Sequence, residues 1–177
     1  MTERSGREPA LPPPGANLAR LWTPWRAEYI GVAQPPGCFL CALASADPRD
    51  DRPNLVLHRE ADVYLLLNRF PYSPGHLLVA PRAHLADFTT IPADLRDRLF
   101  ALVQRAASAL GDVYEPAGFN IGLNLGRVAG AGVPDHLHGH VVPRWAADSN
   151  FMTVIGETRV LPETLDQTFN KLRPYFE

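Results

Sequence analysis

The sequence predicts an α+β domain in which helices pack on an antiparallel sheet. Two patterns carry this prediction: short apolar segments separated by turn residues, and one long stretch in which apolar residues recur every three or four positions. Strands joined by short turns, with one long helix interposed, favour antiparallel pairing. A third observation concerns function, because His136, His138 and His140 alternate along one predicted strand.

Length and composition limit the classes of protein to consider. The 177 residues suffice for one domain, with a flexible tail expected at 1–17, which is rich in proline and charge, and a single domain at 18–177. The formal charge of −2 comes from interspersed acidic and basic residues, so we expect no nucleic-acid partner. No apolar run reaches the roughly 18 residues that cross a bilayer, and the first residues lack a signal peptide's apolar core. We therefore expect a cytoplasmic protein without a membrane partner.

The first half of the domain predicts three strands. Branched and apolar residues are concentrated at 55–58 and 63–67, which predicts a strand at each. Residues 68–75 contain two prolines and a glycine and are typical of a turn leading into a third strand at 76–80. These strands are expected to pair antiparallel.

The second half predicts the long helix and two further strands. Thr90 is the candidate N-cap of the helix, and Pro92 falls in its first turn. The residues predicted to face the sheet are Leu95, Leu99, Leu102, Ala106, Ala109 and Val113. Strands are predicted at 119–124 and 136–142, with a glycine-containing loop at 125–132 between them and a short helix at 164–172.

The histidine row indicates a reactive site. Successive side chains of a strand point to opposite faces, so the three imidazoles share one face and Leu137 and Gly139 lie on the other. Three alternatives are open from the residues alone: a three-histidine metal site, a row of solvated histidines, or a site for nucleophilic and proton-transfer chemistry. The preceding loop at 126–132 can turn amide N–H groups toward an anion, which favours a phosphate beside an imidazole. A neutral imidazole can attack phosphorus to give a phosphoramidate intermediate.

Two blocks of the sequence resemble the histidine triad superfamily. Residues 136–142 match the pattern His-φ-His-φ-His-φ-φ, where φ is apolar, with Gly139 as one departure that faces away from the histidines. Residues 68–81, Asn-Arg-Phe-Pro-Tyr-Ser-Pro-Gly-His-Leu-Leu-Val-Ala-Pro, are similar to the superfamily's upstream block. The resemblance covers roughly residues 21–155. It implies a five-stranded antiparallel sheet carrying a helix, and usually a homodimer.

The resemblance assigns roles to four histidines. It implies that His138 is the nucleophile and that His140 contacts the transferred phosphate or the leaving group. His76 and His136 complete the catalytic set.

The resemblance also implies the nucleotide-binding residues. Asn68 matches a residue that binds ribose hydroxyls and Asn124 a phosphate-contacting amide, although Asn68 could instead cap its own turn and Asn124 could satisfy a strand end. Leu40, Leu43 and Leu66 align with the base pocket, and each taken alone would be assigned to the core. Gly132 stands where members carry a serine, so only main-chain contacts to the ligand are expected there.

The two cysteines, Cys38 and Cys41, form a Cys-x-x-Cys pair. Such a pair is compatible with buried thiols, redox chemistry or a metal site. Some members of the superfamily and the related hexose-phosphate uridylyltransferases complete the pair with two histidines, here His84 and His136. The resemblance therefore implies a structural zinc ion and no organic cofactor.

The N-terminal pattern Leu-Trp-Thr-Pro-Trp-Arg and residues 118–127 resemble a branch of dinucleoside polyphosphate phosphorylases and hydrolases. The implied substrate is a purine nucleotide such as diadenosine tetraphosphate. The implied reaction is transfer of a nucleotidyl group to a histidine and then to phosphate or water. Two alternatives are a hydrolase of nucleoside phosphoramidates or adenylylated small molecules, and a nucleotide-binding module without turnover.

Overall fold

A computed structural model of the protein describes residues 37–146, 148 and 163–177. The predicted tail at 1–17 and the N-terminal tryptophan-containing pattern lie outside these residues, and the division into tail and domain stays a prediction. No helix in the described part is long and apolar enough to cross a membrane.

The core of the fold is a five-stranded antiparallel sheet, which confirms the predicted α+β class. The strands are β1 (Val56–Arg59), β2 (Val63–Leu67), β3 (Leu77–Pro81), β4 (Gly118–Leu123) and β5 (Gly139–Arg144). Their order across the sheet is β1-β2-β3-β5-β4. The histidine-bearing strand β5 therefore lies between β3 and the edge strand β4.

The long helix α2 (Ala93–Tyr114) covers one face of the sheet. Five of its predicted core positions are buried, Leu95, Leu99, Leu102, Ala106 and Ala109, and the sixth, Val113, packs against the core while partly exposed. On the sheet they meet alternate residues of β2, β3 and β5, such as Leu65, Val79 and Val141. The 3.6-residue period of the helix and the two-residue period of the strands thus bury one shared apolar layer.

The opposite face carries the short helix α1 (Phe39–Ser45). The guanidinium groups of Arg59 and Arg82 both donate to the carbonyl oxygen of Ala44 at the end of this helix, at 3.2 and 3.0 Å. They satisfy a carbonyl that has no partner within the helix, and they attach α1 to β1 and to the residue that follows β3. Because Cys38 and Cys41 lie at the start of α1, the same contacts position the cysteine pair.

The last helix, α3 (Leu165–Leu172), agrees with the short helix predicted at 164–172. The side chain of Thr164 accepts from the N–H of Gln167, and the Gln167 side chain accepts from the N–H of Thr164. This reciprocal pair is a capping box, which fixes where the helix begins.

The histidine strand begins later than predicted. β5 starts at Gly139 rather than at residue 136, so His136 and His138 precede the strand. Continuing the register from Val79 opposite Gly139 would place Pro81 opposite Leu137. Pro81 has no N–H, its carbonyl bonds the His136 ring, and the N–H of Leu137 donates to Leu85 instead. The pairing of β3 with β5 ends there because the main-chain groups that would continue it bond to other partners.

The helix start was also wrong in the prediction. Thr90 does not cap α2, because it lies in a 3-10 turn (Phe88–Thr90). In this turn the N–H of Thr89 donates to the side chain of Asp87 at 2.8 Å. The N-cap of α2 is Pro92, which makes no side-chain capping bond. The fixed φ of proline and its missing N–H are compatible with the start of a helix.

Candidate active site

The orientation of His138 leaves its Nε2 atom with a lone pair. Its Nδ1 lies 2.9 Å from the main-chain oxygen of His136, an acceptor, so Nδ1 carries the proton and donates it. In a neutral ring the other nitrogen is then unprotonated. Burial lowers the pKa of His138, opposed in part by this hydrogen bond, so the ring is neutral at pH 7. A buried neutral imidazole with a fixed tautomer can act as a nucleophile.

A hydrogen-bond chain fixes the two neighbouring histidines. The N–H of Tyr72 donates to Nδ1 of His76 at 3.0 Å, so Nε2 of His76 carries the proton and donates to Nδ1 of His140 at 2.9 Å. The neutral His140 ring therefore has its N–H at Nε2, which lies 3.4 Å from the Asn124 amide nitrogen. Two N–H donors side by side suit the oxygens of a phosphoryl group.

The rings of these histidines lie within van der Waals reach of one another. The centroid of His140 is 5.0 Å from that of His138 and 5.2 Å from that of His76. His138 and His76 are 6% and 1% exposed, whereas His140 is partly exposed. Among the three rings, that of His140 is therefore the most open to solvent.

Register places the predicted base-pocket residues on the same sheet face as His140. Leu66 pairs with Leu78 across β2 and β3, and Leu78 pairs with His140 across β3 and β5. Directly paired residues point to one face, so Leu66 and His140 belong to one row. Leu40 and Leu43 of α1 pack in the same cluster as Leu66. Leu43 is partly exposed, whereas Leu40 and Leu66 are buried at 0% and 3% exposure.

Asn68 and Gly132 occupy the two loops beside the histidines. The Oδ1 atom of Asn68 accepts from the N–H of Phe70 at 2.9 Å, and its Nδ2 lies 3.2 Å from Nδ1 of His76. Asn68 thus caps its own turn and also contacts the histidine group. Gly132 is exposed in the second loop, where the N–H groups of Gly130 and Ala131 already donate within the loop. A ribose contact by Asn68 and an anion contact at Gly132 stay predictions.

The four predicted metal ligands converge at the end of β3. The Sγ and imidazole nitrogen atoms of Cys38, Cys41, His84 and His136 all lie within 4.8 Å of one another. Cys38 Sγ is 3.3 Å and Cys41 Sγ 3.4 Å from Nδ1 of His136, and Cys41 Sγ is 3.2 Å from Nδ1 of His84. A tetrahedral zinc ion with ligands at roughly 2.0 to 2.3 Å requires ligand separations of this size.

The contacts around His136 also suit a metal ligand. Its Nε2 lies 2.9 Å from the carbonyl oxygen of Pro81, so Nε2 carries the proton and Nδ1 presents a lone pair to the cysteines. Burial lowers the pKa of His136, which keeps the ring neutral, as a ligand must be. The ring faces the cysteines rather than His138 and His140. Any part that His136 takes in catalysis must therefore be indirect, through its main-chain carbonyl.

Three contacts of the site were missed by the sequence analysis. The main-chain N–H of Tyr72 sets the tautomer of His76. The centroid of the Tyr72 ring lies 4.5 Å from that of His76 and 6.1 Å from that of His140. Ser73 is buried and donates to the carbonyl of Pro143 at 2.9 Å, which ties this turn to β5. Both residues belong to the turn-rich block at 68–75, which was the available signal. The third contact, the Pro81 carbonyl, is main chain and has no side-chain signal.

The chain is similar to known proteins over most of its length. Residues 49–147 match the profile of the HIT domain. The chain is 40% identical over 157 residues to a Mycobacterium tuberculosis protein named AP-4-A phosphorylase, covering 85% of this chain and 80% of that protein. It is 27% identical over 117 residues to the adenosine 5'-monophosphoramidase HNT1 of Candida albicans, covering 64% and 74%.

A solved structure shares the fold. A Zn-bound histidine triad family protein from Mycobacterium smegmatis superposes with a TM-score of 0.62 at 27% identity, covering 78% of this chain and 92% of that one. The likeness extends over the sheet and helix arrangement described above.

Proposed function

Because this chain belongs to the HIT domain family, we propose that it cleaves dinucleoside polyphosphates such as diadenosine tetraphosphate through a nucleotidyl group held on His138. The observation that carries the proposal is the hydrogen bond from Nδ1 of His138 to the His136 carbonyl, which leaves Nε2 as a neutral nucleophile. The 40% identity to a protein named AP-4-A phosphorylase supports the substrate class.

In the first step, Nε2 of His138 attacks the phosphorus next to one nucleoside. A bond forms between nitrogen and phosphorus, the bond to the bridging oxygen breaks, and that oxygen leaves with the remaining nucleotide. For diadenosine tetraphosphate the leaving group is ATP and the enzyme retains an AMP group. The Nε2–H of His140 and the amide of Asn124 donate to the phosphoryl oxygens, where charge builds up in the transition state.

In the second step, an acceptor attacks the same phosphorus and the nitrogen–phosphorus bond breaks. Inorganic phosphate as acceptor yields ADP, and water yields AMP. Both routes regenerate the neutral His138. We favour phosphate as the acceptor because of the named phosphorylase relative.

The cysteine and histidine group would hold a structural zinc ion. Cys38, Cys41, His84 and His136 supply two thiolates and two neutral imidazoles, the ligand set of structural zinc sites. The ion would contribute stability by linking α1 to the segment before β5. His136 then orients the nucleophile through its main-chain oxygen.

A homodimer is also part of the proposal. In the described part of the chain, β4 is an edge strand of the sheet, and Ile121 on it is 48% exposed. Leu125 and Val128, which follow β4, are 45% and 105% exposed. An apolar edge of this kind is suited to pairing with a second copy of the chain. Light scattering of the purified protein tests this, and a monomer at micromolar concentration would contradict it.

The test of the reaction is incubation with diadenosine tetraphosphate, with and without inorganic phosphate, followed by product identification. ATP with ADP, formed only when phosphate is present, is expected for phosphorolysis. ATP with AMP indicates hydrolysis. Two molecules of ADP would contradict attack at the phosphorus next to a nucleoside, and absence of any cleavage would contradict the function.

A second candidate is hydrolysis of adenosine phosphoramidates, favoured by the likeness to the monophosphoramidase HNT1. The same His138 would attack the single phosphorus and expel an amine. The ratio of kcat/KM for adenosine phosphoramidate and diadenosine tetraphosphate distinguishes the two candidates.

A further inference from the structure

Two arginines of the described chain stand apart from all its other cations. Arg69 and Arg127 form neither an ion pair nor a side-chain hydrogen bond, and both are exposed. Every other described arginine or lysine is bonded to a carboxylate, a carbonyl or a ring. These partnered residues are Arg49, Arg52, Arg59, Arg82, Arg96, Arg98, Arg105, Arg144, Lys171 and Arg173.

The two unpaired arginines lie on opposite loops beside the histidines. Arg69 directly follows Asn68, whose Nδ2 is 3.2 Å from Nδ1 of His76. The Oδ1 atom of Asn68 accepts a hydrogen bond from the N–H of Phe70, the residue after Arg69. Arg127 is three residues after Asn124, whose Nδ2 is 3.4 Å from His140. A span of three residues covers at most about 11 Å of chain, so both arginines lie near the rim of the site.

The main chain under each arginine is held in place. The turn at Arg69 is fixed by the Asn68 side chain, and Arg127 begins a 3-10 turn in which its carbonyl accepts from the N–H of Gly130 at 3.0 Å. The carboxylate of Asp135, in the same loop region as Arg127, makes no ion pair with it. No described carboxylate pairs with either guanidinium group. Their N–H donors are therefore available to an external anion.

A polyphosphate chain needs more positive charge than the histidines supply. His140 and Asn124 can serve the oxygens of one phosphoryl group, whereas a dinucleoside polyphosphate carries roughly one negative charge for each further phosphate. Guanidinium groups bind phosphate oxygens in a bidentate manner and keep their charge at any physiological pH. Exposed charges contribute little to folding, so their lack of partners costs the fold nothing.

We propose that Arg69 and Arg127 form a two-sided clamp for the phosphates of the leaving nucleotide, and thereby select polyphosphate over monophosphate substrates. This inference rests on the proposed function and extends it from the transferred group to the leaving group. The clamp acts by binding and takes no part in bond making at His138.

The test compares Arg69→Ala, Arg127→Ala and the double variant with Arg96→Ala, a matched loss of one exposed arginine on α2. The readout is the ratio of kcat/KM for diadenosine tetraphosphate to that for adenosine phosphoramidate. Each single variant is expected to lower this ratio about tenfold and the double variant about a hundredfold, mainly through KM. Arg96→Ala is expected to leave the ratio unchanged. Equal losses on both substrates, or no loss, would overturn the clamp.

A binding measurement separates failure of the clamp from failure of the proposed function. In the full-length His138→Ala protein, ATP and inorganic tripolyphosphate are expected to bind about tenfold more weakly once Arg69 or Arg127 is replaced, with a smaller dependence on salt. AMP binding is expected to change less than twofold. If the unaltered protein cleaves neither substrate, the proposed function fails, and these affinities still decide the clamp: unchanged ATP binding would refute it.

Discussion

The side chain of His138 is hydrogen-bonded to the main chain of His136, with 2.9 Å between Nδ1 and the carbonyl oxygen. His136 itself points its ring at the cysteine pair, so one hydrogen bond joins the candidate metal group to the candidate nucleophile. The candidate metal group and the candidate nucleophile are therefore mechanically coupled, although their rings do not face each other.

Replacement of the candidate nucleophile is expected to abolish turnover while keeping the fold. His138→Ala removes the nitrogen that would form the covalent bond, and a loss of at least about 10³-fold in kcat is expected on diadenosine tetraphosphate. His58→Ala is the matched control, because His58 lies on β1, which β2 and β3 separate from β5. Mass spectrometry of quenched enzyme should find an AMP adduct on the segment with His138. Near-normal turnover in His138→Ala would exclude this residue as the nucleophile.

Loss of one proposed zinc ligand is expected to lower the zinc content and loosen α1. His84→Ala is the cleanest variant, because His84 is exposed and its removal opens no cavity. About one zinc per chain is expected in the unaltered protein by elemental analysis, much less in the variant, together with a Tm lower by several degrees. Hydrogen exchange should increase first in α1. A metal-free protein with the same Tm as the untreated sample would contradict a structural zinc site.

Replacement by alanine is expected to lower stability at Gly75 but not at Gly139. At Gly75, which has φ of +75°, a Cβ would lie 2.7 Å from Cδ2 of Leu110, so Gly75→Ala should lower the free energy of unfolding by about 2 kcal/mol. At Gly139 a Cβ would lie 3.7 Å from Cγ2 of Val103, an ordinary contact. Gly139→Ala should therefore leave stability unchanged or raise it by about 0.5 kcal/mol. Urea unfolding measures both, and equal effects would contradict the packing described here.

The carboxylate of Glu163 is expected to make stability depend on pH. Burial raises its pKa, but hydrogen bonds from Lys171, Tyr114 and Thr168 outweigh burial and lower the pKa below its ordinary value of 4.5. The stabilisation is therefore fully present above pH 4.5 and is lost as pH falls through the lower folded-state pKa.

Glu163→Gln is the variant that measures this effect. It should lower the free energy of unfolding at pH 7 by about 1–2 kcal/mol, and the difference should shrink in acid. Glu177→Gln, which removes an exposed ion pair with Arg173, should change stability by less than about 0.5 kcal/mol at either pH. If Glu163→Gln lowered the free energy of unfolding by the same amount from pH 7 to pH 3, this would contradict a lowered pKa of Glu163 in the folded state.

The sequence by itself determined the fold class, and its resemblance to a known family suggested most residues of the candidate site. Apolar periodicity was sufficient for five strands and α2 because each element buries a face whose spacing is set by local geometry. The departure at Gly139 was assigned to the face away from the histidines, and the structure confirms this, since Gly139 faces Val103 of α2. The grouping of Cys38 and Cys41 with His84 and His136 came from family resemblance alone, because spacing cannot reveal which distant residues meet.

Only the tertiary structure decided where β5 begins and which way each histidine points. Both depend on main-chain groups of other segments. The Pro81 carbonyl accepts a hydrogen bond from the His136 ring, and the Leu85 carbonyl accepts one from the N–H of Leu137. Such partners are supplied by any residue type, so they leave no mark in the sequence. The alternation at 136, 138 and 140 predicted three imidazoles on one face. In the structure the His136 ring faces the cysteines, as the family resemblance implied, and His138 and His140 stay together at the candidate active site.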